Sequence, residues 1–124
     1  MEKKNKRPVY LNLLQIRLPI SGVVSIVHRI TGVLLVLLIA PVLYVLQRAL
    51  ESPAVYGGLV AGIGTFPGRL GVLLAVWLLA QHFFSGLRHL LLDIDIGVER
   101  TTARTSAWLS FILSVLTAVV AGLL

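Results

Sequence analysis

Three apolar runs, each long enough to cross a lipid bilayer, constrain this chain more than any other feature of its sequence. A transmembrane helix needs about 20 predominantly apolar residues. We predict three such helices, at approximately residues 20–47, 70–92 and 105–124. A hydrophobic content of 57% and a mean hydropathy of +0.95 exclude an ordinary soluble domain. The predicted fold class is an all-α membrane protein, in which residues 1–124 form a single transmembrane domain.

The connections between the predicted helices are rich in turn-forming residues. Residues 47–69 contain several prolines and glycines, which predict an extramembrane loop with a short interfacial helix. The sequence pI near 10.6 does not indicate nucleic-acid binding, because the basic residues cluster at the ends of the apolar runs. That distribution is typical of a membrane protein in contact with water and anionic lipid. The absence of cysteine excludes disulfides and thiolate metal sites.

The distribution of lysine and arginine predicts the orientation in the membrane. Basic residues precede the first helix and recur in the second loop: Lys3, Lys4, Lys6, Arg7, Arg17, Arg100 and Arg104. The positive-inside rule then places the N-terminus and the second loop in the cytoplasm and the C-terminus in the periplasm. A cleaved signal peptide does not fit, because a long polar and mixed segment precedes an apolar run that exceeds signal length. A transit peptide does not fit either, because the basic N-terminus is poor in serine and leads directly into Arg7-Pro8. The expected absence of a presequence favours a bacterial or archaeal protein.

The second predicted helix has one polar face. At 100° per residue, one stripe contains His82, Ser85, Gly86, His89 and Asp93. Ionisable side chains inside a membrane cost several kcal/mol each and usually face a protein interior, a cofactor or an ion path. The stripe therefore predicts a ligand or cofactor against this face. His82 is expected to lie roughly 10 Å deeper in the membrane than His89.

A second polar stripe lies on the first predicted helix, where Ser21, Ser25, His28 and Gly32 share a face with Arg29 at its edge. Ser25 and Arg29 are one turn apart and are placed to bind one carbonyl compound or anion. Alternatively, Arg29 extends to the headgroups and Ser25 bonds to its own helix. Since the two helices run in opposite directions, both stripes are expected in the cytoplasmic half of the membrane. Gly32, like Gly86 on the second helix, is explained by close helix packing or by a flat macrocycle.

His82 has two interpretations that the residues alone leave open. A neutral imidazole in lipid needs a partner, which is either haem iron or a backbone carbonyl of a neighbouring helix. His82 and His89 share one helix face, so they do not approach opposite sides of a single haem. A haem bound by His82 would therefore require either a second haem or, as we favour, an axial ligand from another chain.

Three groups of residues resemble the family of cytochrome b membrane-anchor subunits of succinate dehydrogenase, and the stretch from Leu14 to Pro19 resembles the proteobacterial form of that family. The groups are Arg7-Pro8-Val9-Tyr10-Leu11-Asn12, Ser25-Ile26-Val27-His28-Arg29-Ile30-Thr31-Gly32, and His82 with Gly86, Arg88, His89 and Asp93. The resemblance extends from Arg7 through the third helix. It implies a multi-pass subunit of the bacterial inner membrane, within respiratory complex II.

The resemblance also implies a role for each matched residue. His82 corresponds to the axial ligand of haem b, whose second ligand comes from the other, smaller membrane-anchor subunit of the complex. Ser25 and Arg29 correspond to residues that line the ubiquinone site. His28, Arg29 and His89 correspond to contacts of the haem propionates or pocket, and Asp93 to a pocket or proton-path residue. Electrons from succinate would arrive through separate flavoprotein and iron–sulfur subunits, so the chain would be part of succinate:quinone oxidoreductase without being an enzyme alone.

Two other classes of protein remain as alternatives. A small multi-pass transporter would use intramembrane His and Asp side chains to relay protons or bind substrate. Asp93 lies at a helix end rather than in mid-membrane, which argues against that class. The other alternative is a structural anchor of another membrane complex that binds no cofactor.

Overall fold

The computed structural model describes residues 18–123, which form four helices. They are α1 (Ile20–Ala49), α2 (Pro53–Gly64), α3 (Phe66–Asp93) and α4 (Arg100–Leu123). By length and composition, α1, α3 and α4 are able to cross a membrane, and residues 18–123 contain no strand. The predicted all-α membrane fold with three spans is therefore confirmed. The motif at residues 7–12 and the basic residues that precede position 18 lie outside the described range.

The connection between α1 and α3 contains the short helix α2, and both α2 and α3 begin at a hydroxyl cap. The Ser52 hydroxyl accepts a hydrogen bond from the Val55 N–H at 3.3 Å, and the Thr65 hydroxyl accepts one from the Gly68 N–H at 3.3 Å. The joint between the two helices is tight, because a Cβ at Gly68 would overlap the carbonyl oxygen of Gly62. A glycine is required there by the close approach of two backbones.

The turn from α3 to α4 is a Schellman motif with Asp95 in the left-handed conformation. Asp95 has φ 61°, its N–H donates to the Leu92 carbonyl at 3.1 Å, and the Ile96 N–H donates to the Leu91 carbonyl at 2.9 Å. Gly97, with φ 78°, continues the reversal. These bonds satisfy the last carbonyls of α3 and direct α4 back along it. The start of α1, the end of α3 and the start of α4 consequently meet at one end of the bundle, called here the Pro19 end.

Helix α3 lies at the centre of the bundle, packing most extensively against α4 and less against α1. The buried apolar side chains are few: Val24, Leu78, Ala80 and Ala107. Most large apolar side chains are exposed, as expected where lipid or another chain covers them. Only 6% of the most apolar window of α1 is buried, against 22% in α3. Among the spanning helices of the described residues, α1 therefore has the smallest buried share.

Candidate functional site

Three histidine rings meet between α1 and α3. The rings of His28 and His82 are stacked, with centroids 4.1 Å apart and planes inclined by 13°. The ring of His89 lies on the other side of His28, with centroids 5.2 Å apart and planes inclined by 57°. Because His82 and His89 are separated by two helical turns, both face α1, and the His28 side chain enters between them. The structure thus brings three of the predicted site residues together.

Two glycines make room for these rings. An added Cβ at Gly32 would lie 3.0 Å from Cε1 of His82, and one at Gly86 would lie 3.1 Å from Nε2 of His28. Each glycine therefore admits an imidazole from the facing helix. Of the two explanations that the sequence left open for these glycines, the structure supports close packing of neighbouring helices.

The environment of His82 determines which ring nitrogen carries the proton. Nδ1 of His82 lies 3.1 Å from the backbone carbonyl of His28 and 3.3 Å from the hydroxyl of Thr31. A carbonyl oxygen only accepts hydrogen bonds, so this contact requires the proton on Nδ1 and leaves the lone pair on Nε2. Metal-binding histidines commonly donate their second nitrogen to a backbone carbonyl in the same way. The carbonyl contact and a ligand role at Nε2 are therefore compatible.

The same cluster is not a metal site of the polyhistidine type. Within residues 18–123, no group of three or more His, Cys, Asp or Glu side chains is arranged to hold a metal ion. His82 is only partly buried within this chain. A single imidazole with a free ring nitrogen would fit an iron that is held mainly by a macrocycle, and His82 would be the residue that holds it.

Ser25 and Arg29 lie one turn apart on α1, as the sequence predicts. Ser25 is partly buried and Arg29 is exposed, and neither side chain is hydrogen-bonded to another described residue. The alternative bond from Ser25 to its own helix is thus absent from residues 18–123. Arg29 borders an open groove of about 270 Å³ with Ile30, Val33 and Leu34. The prediction that both groups bind one ligand stays a prediction.

Asp93 is the last residue of α3 and is exposed at the Pro19 end, one turn beyond His89. It makes no ion pair within the described part of the chain, where the single salt bridge joins Arg48 and Glu51 at 2.5 Å. Its predicted role in a pocket or proton path remains a prediction.

Arg88 joins three helices, a role that the sequence interpretation did not assign. The residue is 5% exposed, and its guanidinium donates to Ser106 at 3.1 Å, to Ser21 at 3.0 Å and to the Ala103 carbonyl at 3.0 Å. The acceptors belong to α1 and α4, whereas Arg88 belongs to α3. Ser21, which the sequence placed on the ligand stripe of α1, is consequently a structural partner of this arginine.

A second buried polar network places Ser85 on a different face from the one predicted. The Gln81 amide donates to Ser85 at 2.8 Å, and Ser114 of α4 donates to the Gln81 amide oxygen at 2.5 Å, with all three side chains fully buried. Ser85 lies about 60° around the helix from His82, on the side of Gln81, and so faces α4. The part of α3 that faces α1 is therefore narrower than the predicted stripe. The spacing of Ser106, Ser110 and Ser114 at every fourth residue was the signal that could have revealed this polar seam.

Comparison with known proteins identifies close relatives over nearly the whole chain. The family model described as succinate dehydrogenase/fumarate reductase transmembrane subunit matches residues 3–121. The succinate dehydrogenase cytochrome b556 subunit of Coxiella burnetii is 33% identical over 121 residues, which cover 94% of both chains. The protein of the same description from Paracoccus denitrificans is 32% identical over 121 residues, covering 94% of this chain and 93% of that protein.

Proposed function

The chain belongs to the family of succinate dehydrogenase/fumarate reductase transmembrane subunits, and on that basis we propose that it binds haem b and helps to form the site of ubiquinone reduction. It is a multi-pass subunit of the bacterial inner membrane and part of an enzyme complex. The proposed orientation has the N-terminus in the cytoplasm and the C-terminus in the periplasm. The basic residues Arg100 and Arg104 between α3 and the apolar part of α4 support this orientation.

The observation that carries the haem proposal is the hydrogen bond from Nδ1 of His82 to the His28 carbonyl. It leaves Nε2 of His82 as the nitrogen that would bind the iron. The ring of His28 contacts the rings of both His82 and His89. His28 and His89 would contact the propionates or the pocket wall. When bound, haem b supplies a one-electron store beside the quinone site. The second axial ligand would come from another, smaller membrane-anchor subunit.

The quinone part of the proposal rests on Ser25 and Arg29. Reduction of ubiquinone to ubiquinol consumes two electrons and two protons. The Ser25 hydroxyl would donate a hydrogen bond to one quinone oxygen, and the Arg29 guanidinium would stabilise negative charge on the reduced forms. Neither group has a hydrogen-bond partner within residues 18–123, which supports a role toward a ligand. Asp93, exposed at the Pro19 end, would take part in proton delivery or in the pocket wall.

The electrons would originate outside this chain. A cysteine-free chain has no thiolates for iron–sulfur clusters. We therefore assign succinate oxidation to a flavoprotein subunit and electron transfer to an iron–sulfur subunit. The extensive uncovered surface of α1 supports association with further membrane chains. In this scheme the chain acts as a subunit of succinate:quinone oxidoreductase and has no activity alone.

The proposal is tested by optical spectra of the purified complex carrying His82→Ala or His89→Ala. We expect His82→Ala to abolish the low-spin bis-histidine haem spectrum, because the axial nitrogen is removed. His89→Ala is the matched control on the same helix face and should shift the spectrum without abolishing it. An unchanged spectrum in His82→Ala would show that the ligand assignment is wrong. A wild-type complex without haem would instead favour an anchor that binds no cofactor.

A further inference from the structure

The side chain of Thr31 lies against the proposed ligand His82 and is almost fully buried, with 2% exposure. Its hydroxyl donates its single proton to the His28 carbonyl at 3.0 Å. The lone pairs of the same oxygen then face Nδ1 of His82 at 3.3 Å. Because Nδ1 also lies 3.1 Å from the His28 carbonyl, its proton is shared between two acceptors that are themselves hydrogen-bonded to each other. A hydroxyl that hydrogen-bonds only within its own helix would not also contact a side chain of a second helix.

The remaining sides of the His82 ring are also confined. The His28 ring covers one face at a centroid distance of 4.1 Å, and the backbone of Gly32 lies at the Cε1 edge, where even a methyl group would come within 3.0 Å. The stacked ring, the glycine edge and the two acceptors therefore restrict rotation of the imidazole about its Cβ–Cγ bond. Confinement of this kind orients a metal ligand before the metal binds.

We propose that Thr31 is a positioning residue for His82, which fixes the plane of its ring and keeps the proton on Nδ1. This inference rests on the proposed haem ligand and adds a residue that acts through it. An acceptor at Nδ1–H increases the electron donation of an imidazole to iron and favours the oxidised metal. Loss of the Thr31 hydroxyl should accordingly raise the haem reduction potential, while loss of ring confinement should change the electronic anisotropy of the ferric haem.

The test uses the complete purified complex carrying Thr31→Val, which keeps the shape of the side chain and removes the hydroxyl. We expect haem to be retained, the reduction potential to rise, and the low-field g value of the ferric haem to shift in electron paramagnetic resonance. Thr117→Val is the matched control, because the Thr117 hydroxyl also bonds to a carbonyl of its own helix, at 2.8 Å, but is exposed on α4. It should change neither quantity.

A second pair of variants separates the hydroxyl from the methyl group of Thr31. Thr31→Ser and Thr31→Ala both lose the methyl, and only the serine keeps the hydroxyl. The proposal predicts a near-native potential and g value for Thr31→Ser and shifted values for Thr31→Ala. This pair also decides the matter if Thr31→Val does not assemble. Equal values for serine and alanine, or a Thr31→Val complex that retains haem with native values, would overturn the proposal.

A further pair of variants tests whether the His82 ring is confined. Gly32→Ala places a methyl group against Cε1 of His82, whereas Gly71→Ala on α3 meets no atom within 4 Å. We expect a shifted g value in the first variant and a native value in the second. A native g value in Gly32→Ala would contradict the confinement of the ring. Absence of haem from the wild-type complex would refute the proposed function itself, so the two failures are distinguishable.

Discussion

Replacing Arg88 with methionine removes the hydrogen bonds that join three helices at the Pro19 end while keeping an unbranched side chain of similar length. The guanidinium makes three interhelical bonds, to Ser21, Ser106 and the Ala103 carbonyl. Interhelical hydrogen bonds in membrane proteins contribute about 0.6 kcal/mol each on average. Three such bonds predict a loss of about 2 kcal/mol in the free energy of unfolding.

The accepting groups keep other partners after this replacement, which limits the expected loss. Ser106 still donates to the Ala103 carbonyl at 3.2 Å, and Ser21 donates to the same carbonyl at 3.4 Å. No hydroxyl is therefore left without a partner, and the larger cost of an unsatisfied buried polar group does not apply. Removal of a buried charge also relieves its desolvation cost, so a loss well above about 2 kcal/mol is not expected.

The measurement is unfolding of the purified complex in mixed micelles by titration with sodium dodecyl sulfate, followed by circular dichroism. Arg100→Met is the matched control, because Arg100 is exposed and makes no side-chain hydrogen bond within residues 18–123. A double-mutant cycle of Arg88→Met with Ser21→Ala isolates the bond to α1 and should give a coupling of about 0.6 kcal/mol. If Arg88→Met is as stable as Arg100→Met and the coupling is zero, Arg88 does not join the helices as described.

Three further predictions concern the quinone site, the α2–α3 joint and the orientation. Ser25→Ala and Arg29→Leu should each slow quinone-dependent succinate oxidation, because the lost hydrogen bond raises the activation barrier by about 1–3 kcal/mol. Neither variant should slow the reduction of an artificial acceptor at the soluble subunits. Equal loss with both acceptors would indicate failed assembly. Gly68→Ala should destabilise the fold by about 1–3 kcal/mol in the same micelle titration, whereas Gly71→Ala, which meets no atom within 4 Å, should not. Reporter fusions should locate the C-terminus outside the cytoplasm and the α3–α4 loop inside it. The opposite pattern would reverse the proposed orientation.

The length of each apolar run was sufficient to predict the three spanning helices, because lipid requires an unbroken helix to satisfy the backbone. Helical periodicity was likewise sufficient to place His82 and His89 on one face of α3. The two polar stripes on antiparallel helices were predicted to lie in the same half of the membrane, but the direct packing of His28 against His82 and His89 was not predicted. Each of these features is determined by a single helix or by one pair of helices.

Periodicity did not predict which polar side chains of α3 face α4. Ser85 was grouped with His82 although it lies about 60° away around the helix. Two residues at that angle face different neighbouring helices only once a third helix packs against α3. The neighbours of Gln81 and Arg88 were equally uncertain, and an arginine near a helix end is also compatible with contact to headgroups. The bonds that they make to α4 depend on the rotation of that helix, to which the Schellman turn at Asp95 contributes.

The contrast between the two sides of the bundle bears on where the proposed site is completed. Every buried side-chain polar atom of the described residues has a hydrogen-bond partner, including those of Gln81, Ser85 and Ser114 between α3 and α4. On the α1 side, Arg29 is exposed and His82 is only partly buried. A charged or ligand-binding group left toward lipid costs several kcal/mol. The cost is removed if a second membrane-anchor chain, together with haem and quinone, covers this face, which is the arrangement that the proposed function requires.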